Sequence, residues 1–182
     1  LQRGKWDAME GGIRVPFIIS GPGIGKNTQA ETPISFSDLL PTIVDLAGNK
    51  KLKEKTLDGG SFKDVLFKKS KKVKRNYEGI IFHVPYENRI ALERAHSAII
   101  IDNLKLIKFY DNNEVKLFDL KNDNSESTDL SKIFRGGKLL HKKFINRIEN
   151  KLDQYLREVR APKWKSGITW KKKPLKIINS YH

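Results

Sequence analysis

The 182-residue chain contains no cysteine. That excludes disulfides, thiolate metal ligands and a cysteine nucleophile. It leaves the compartment open, since many exported domains also lack disulfides. Long apolar runs are absent too. The longest, Ala98 to Ile101, is strand-sized, whereas a bilayer crossing needs about 20 residues. The opening Leu1-Gln2-Arg3-Gly4-Lys5 has neither an initiator methionine nor the form of a signal peptide, so the expectation is that an N-terminal part precedes it. Arginine is much the scarcer cation. The excess charge therefore comes mostly from scattered lysines rather than from residues suited to bidentate contacts.

What is present is globular in character. Hydrophobic residues make up 38% and charged residues 31%, enough apolar content for one domain or for a domain piece plus a smaller unit. The net charge of +15 favours polyanions: nucleic acid, an anionic membrane, or sulfated and acidic polysaccharide.

Three regions follow along the chain. Residues 1–76 read as part of an α/β domain. Gly11-Gly12 makes a turn, Arg14 to Ile19 reads as a short buried strand, and Gly21-Pro22-Gly23 stops it. Ser35 or Ser37 caps a helix that runs to about Ala47, with Leu39, Leu40, Ile43, Val44 and Ala47 on a face expected to pack on a sheet. A short helix is expected over Ser61 to Phe67, and Lys68 to Arg75 as a solvated junction. Residues 77–162 read as an α+β unit. Its strands fall at Gly79–Val84, Arg94–Ile101, Leu104–Phe109 and Val115–Leu120, with turns at Asp102-Asn103 and Asp111 to Asn113. Short turns between successive strands predict an antiparallel meander with one solvent-facing side. A helix over 136–160, with the stripe Leu140, Phe144, Ile148, Leu152, Tyr155 and Val159, should cover its other side. Residues 163–182 form a basic tail containing Trp164 and Trp170.

The informative segment is Gly4-Lys5-Trp6-Asp7-Ala8-Met9-Glu10-Gly11-Gly12-Ile13-Arg14-Val15-Pro16. Paired glycines allow close backbone approach, and a lysine beside such a turn can serve as a point charge for an anion. The string resembles the sulfatase family of the alkaline phosphatase superfamily, with its Gly-Lys, four residues, Glu-Gly-Gly, one residue, Arg-Val-Pro. Pro33 to Thr42, Asp45 to Gly48, Leu57-Asp58-Gly59-Gly60-Ser61-Phe62, Leu104 to Ile107 and Leu117 to Leu120 are similar to later family segments in order. Asn122 to Leu130 resembles the family's Asn-Asp-Pro-x-Glu-x-x-Asn-Leu, with Asn124 in place of proline and Asp129 in place of asparagine.

That resemblance implies the C-terminal portion of an alkaline-phosphatase-like α/β domain followed by a small α+β subdomain. It also implies hydrolysis of sulfate esters, with sulfated carbohydrate the expected substrate. A formylglycine nucleophile and a calcium ion are implied for the complete enzyme, both outside this fragment: the Cys/Ser-x-Pro-x-Arg signature does not occur here, and no metal site is expected. The fragment alone should then be inactive. Lys5 matches the lysine that touches the sulfate. Trp6, His83 and His96 are candidate substrate contacts. Glu10, Gly11, Gly12, Arg14 and Pro16 form the structural motif, Arg14 being expected in a buried ion pair with Glu10 that holds the turn. A periplasmic or secreted location is implied, without nucleic-acid or membrane partners. A phosphodiesterase or phosphonate hydrolase of the same superfamily is the alternative enzyme. A non-catalytic polyanion-binding module, suggested by the aromatic and cationic tail, is the alternative of another class.

Overall fold

The computed structural model describes residues 1, 3–48, 57–87, 94–135 and 138–165. The basic tail beyond 165, with Trp170, lies outside them.

Four strands form the centre: β1 (Ile80–Val84), β2 (His96–Ile101), β3 (Leu104–Phe109) and β4 (Val115–Asp119). They pair antiparallel in the order β1-β2-β3-β4, the expected meander. The β2–β3 connection is tight because Asp102 takes a positive φ of 52°, a conformation that Asp tolerates better than most side chains. Asn113 does the same (φ 56°) before β4. A two-stranded hairpin, β5 (Phe134–Arg135) and β6 (Lys138–Leu139), precedes the long helix α4 (Lys142–Glu158). The hairpin occupies the start of the stretch expected to be helical, so the helix begins later than its apolar spacing suggests.

On one side of the sheet, Ile99, Ile101, Leu106 and Leu117 meet Ile145, Ile148 and Leu152 of α4. Each fully buried aliphatic side chain contributes about 1.5–3 kcal/mol. Leu140 and Val159, at the ends of the expected stripe, are exposed. Lys108 also faces α4, its Nζ 2.9 Å from Glu149 and 2.8 Å from Asp153.

The other side was expected to meet solvent, and it does not. Ala98, Ile107, Phe109 and Phe118 pack against Ala8 and Met9, and every residue of β2 is buried. Lys105 and Lys108 of β3, three apart and so on opposite faces, are thus each met by partners from distant parts of the chain.

Residues 10–76 contribute α1 (Glu10–Ile13), a 3₁₀ turn (Phe36–Asp38), α2 (Leu39–Leu46) and α3 (Lys63–Leu66). Two expectations fail here. Arg14 to Ile19 forms no strand, and Ile18 is 92% exposed: none of the described strands pairs with its backbone. On α2, Leu40, Ile43 and Leu46 are exposed while Pro41 and Thr42 are buried. Thr42 on its buried side accepts the Phe62 N–H at 3.0 Å, the preceding 3₁₀ turn meets Gly59 and Gly60, and the apolar side of the helix faces outward. Arg75, placed in a solvated run by sequence, is instead the partner of the fully buried Asp38. No helix among the described residues is long and apolar enough to cross a membrane.

Candidate functional site

The candidate site is the loop from Gly4 to Arg14, and the sequence dictates its tight closure. Asp7 Oδ1 accepts the Met9 N–H at 2.8 Å, an Asx-type turn. The Gly12 N–H donates to the Met9 carbonyl at 2.8 Å. A Cβ on Gly12 would lie 2.5 Å from both the Gly4 and the Asp7 carbonyl oxygens, so only glycine fits where α1 folds back on the chain entering the loop. Gly11 completes the same short helix. Trp6 takes a φ of 88°, unusual for a bulky residue.

Lys5 stands exposed on this loop, its Nζ 5.1 Å from the Trp6 ring centroid. Trp6 is half-buried. Beneath them the loop is fastened to the sheet by buried polar contacts. His96, fully enclosed on β2, accepts the Ala8 N–H through Nε2 at 3.0 Å and donates from Nδ1 to the Arg94 carbonyl at 2.7 Å. Burial holds this imidazole below its ordinary pKa, against the opposing pull of the Arg94 carbonyl and Asp7. Asp7 is buried as well. Burial pushes its carboxyl up despite the Met9 N–H, and its Oδ2 finds no hydrogen-bond partner among the described residues.

Deeper still, Lys105 of β3 is fully buried between two carboxylates, Nζ 3.0 Å from Glu10 Oε1 and 2.7 Å from Glu126 Oε1. Glu126 Oε2 accepts the backbone N–H of Glu10 at 2.7 Å. Burial pushes the Glu126 carboxyl up, and the Lys105 amine draws it back. Arg14 does reach Glu10, at 3.3 Å, but its side chain is 52% exposed. The expected buried pair with Glu10 is therefore made by Lys105, and Arg14 adds a solvent-side contact. Pro16 is exposed.

His96 is thereby a structural tie, since a ring with no accessible surface and both nitrogens committed cannot meet a substrate. His83 is half-buried. Its Nδ1 lies 2.6 Å from Ser97 Oγ and its Nε2 2.8 Å from the Pro162 carbonyl, so it fastens the segment after α4 to β1. Sequence reasoning missed Lys105 and Glu126. The signal was available for Glu126, whose motif was recognised without a partner being assigned to it.

No three His, Cys, Asp or Glu side chains among the described residues stand close enough together to hold a metal ion. Glu10 and Glu126, the acidic groups beneath the loop alongside Asp7, are engaged by Lys105. The exposed ammonium that the loop offers is that of Lys5, carried on a backbone pinned from beneath.

The family model for the C-terminal part of N-sulphoglucosamine sulphohydrolase matches residues 5–161. A sulfatase from Formosa agariphila is 31% identical over 144 residues, covering 71% of this chain and 24% of that protein. Arylsulfatase K from Bos taurus is 28% identical over 168 residues, covering 85% of this chain and 27% of that protein. Among solved structures, a candidate sulfatase from Bacteroides thetaiotaomicron has a TM-score of 0.61 at 22% identity, over 86% of this chain and 32% of that one. A 2-O GAG sulfatase has a TM-score of 0.53 at 22% identity, over 78% and 29%. The chain spans about a quarter of the length of these curated relatives.

Proposed function

Because this chain belongs to the sulfatase family, we propose that it is the C-terminal portion of a sulfuric ester hydrolase acting on sulfated carbohydrate, and that Lys5 is its contact with the sulfate group. Support for the role of Lys5 comes from its setting: an exposed ammonium on a loop whose backbone is fixed from beneath by His96, Glu126 and Lys105. A fixed cation pre-oriented toward developing negative charge needs no reorganisation as the S–O bond breaks. Support for a carbohydrate substrate comes from the matching family model, whose name carries a sulfated amino sugar, and from the basic charge of the chain.

The nucleophile and calcium expected of this family would come from the rest of the enzyme. What this chain supplies is the positive charge at the ester oxygens and the scaffold that aims it.

The test is Lys5→Ala in the full-length enzyme. Hydrolysis of an aryl sulfate and release of inorganic sulfate from sulfated oligosaccharides are followed, with circular dichroism to confirm folding. One cation aimed at developing charge is worth roughly 3–4 kcal/mol, so turnover should fall on the order of a hundredfold or more. Near-normal turnover by the folded variant would refute the role. Wild-type enzyme that cleaves phosphodiesters while leaving sulfate esters intact would refute the reaction class.

A further inference from the structure

A fully buried lysine flanked by two buried glutamates is an expensive way to gain stability, since desolvation of such ions often cancels their attraction and apolar replacements of similar volume frequently do as well. The arrangement here also has a direction. Lys105 sits within β3, its register fixed opposite Ile100 on β2 and Phe118 on β4, so its backbone is among the least movable parts of the molecule. Glu126 projects from the turn after β4. That turn is itself held: its N–H donates to the Asp123 carbonyl at 3.1 Å, and Asp123 accepts the Thr128 N–H at 2.8 Å and the Ser127 hydroxyl at 3.0 Å. Both side chains converge on Glu10, one on its carboxylate and one on its amide. Glu10 opens α1, and Gly12 in α1 lies directly against the carbonyl of Gly4, the residue before Lys5.

We infer that Lys105 and Glu126 are positioning residues for Lys5, clamping Glu10 so that α1, through the Gly12–Gly4 contact, sets where the Lys5 ammonium points. This rests on the assignment of Lys5 to the sulfate. The two residues touch no substrate. They act through the backbone of the loop, so their loss should slow the chemical step rather than weaken substrate binding generally.

A double-mutant cycle in the full-length enzyme tests it, with kcat and KM for one sulfate ester measured per folded molecule at a temperature where all variants are folded. Glu126→Gln keeps shape and one acceptor but removes the charge facing Lys105. It should lower kcat on the order of tenfold with little change in KM, and Lys5→Ala combined with Glu126→Gln should be no slower than Lys5→Ala alone, as expected of residues that act as a unit. Ile148→Val, in the core on the opposite side of the sheet, should lower the thermal midpoint while leaving kcat unchanged. Should Glu126→Gln not fold, Lys105→Arg keeps the charge and displaces Glu10, and the same cycle is run with it. Losses that multiply, or a clamp variant with normal kcat, would overturn the positioning role while leaving Lys5 standing. Normal turnover in Lys5→Ala alone would instead remove the assignment of Lys5 itself, and the clamp's purpose with it.

Discussion

Glu126 and Glu10 are 116 residues apart in sequence, yet the carboxylate of the first accepts the backbone N–H of the second at 2.7 Å, and both contact the amine of Lys105. Removing one partner from such an enclosed group strands the others without water. Lys105→Met should therefore cost about 3–5 kcal/mol, read as a lowered urea midpoint with an unchanged slope. Changing Lys105 to Met together with Glu10→Gln and Glu126→Gln should recover part of that loss. A single variant costing under about 1 kcal/mol, the scale of exposed pairs, would show that the amine is not enclosed as described.

A second buried pair makes a sharper comparison because an exposed pair lies nearby in sequence. Asp38 accepts the N–H groups of Ser35 and Gly60 at 2.7 and 2.9 Å and a two-pronged contact from Arg75, Nε at 2.8 Å and Nη2 at 2.6 Å. Asp38 has no exposed surface and the Arg75 side chain only 10%. Arg75→Ala should destabilise by about 3–5 kcal/mol. Lys72, paired with Asp102 at 3.0 Å but 74% exposed, should cost less than about 1 kcal/mol when replaced by alanine. Equal effects in denaturant unfolding would contradict the burial.

His96 gives the loop an acid limit. Its neutral form accepts from Ala8 and donates to Arg94, and burial depresses its folded-state pKa below 6.5. Below that ordinary value the unfolded chain binds a proton that the folded chain refuses, so more protons are bound unfolded and stability rises with pH in this window. The contribution is complete above about pH 6.5 and is lost as pH falls toward the folded value. Thermal midpoints measured from pH 7.5 down to 5 should fall more steeply for the wild type than for His96→Gln, which can still donate and accept but does not titrate. Parallel curves would show that His96 does not carry the dependence.

The meander was legible because its turns are punctuated by Asp102-Asn103 and Asp111 to Asn113 and its strands are rich in isoleucine, leucine and phenylalanine. The long helix was legible from its spacing, apart from its first turns, which the β5–β6 hairpin displaces. What the sequence could not convey was who covers whom. Lys105 and Lys108 look alike in the string, but they stand three apart and so face opposite sides of the sheet, whereas a partly alternating strand reads as one dry and one wet face. One lysine meets acids on α4; the other meets Glu10, which lies 95 positions away. Burial of that kind is set by tertiary partners, and local periodicity carries no record of it. The same limit explains Arg14 to Ile19: an apolar run states a wish to be covered and says nothing about whether a partner is at hand.

That uncovered segment carries the last prediction. Val15, Phe17, Ile18 and Ile19 are 60, 47, 92 and 36% exposed, and Phe36, Leu40, Ile43 and Leu46 add 78, 53, 61 and 41%. Both segments adjoin Phe62: Phe17 contacts its ring edge-on at 5.9 Å, and the Phe62 N–H donates to Thr42 on the buried side of α2. Each group is a short run of exposed large apolar side chains, and proteins that stay monomeric rarely expose contiguous apolar patches. Expressed by itself, the 182-residue chain should self-associate, seen as concentration-dependent growth in sedimentation and light scattering. Ile18→Lys combined with Ile43→Glu should reduce that association without lowering the thermal midpoint, because neither side chain is packed. A wild-type chain that remains a cooperatively folding monomer at high concentration would mean that these side chains are covered in solution by something other than a second copy.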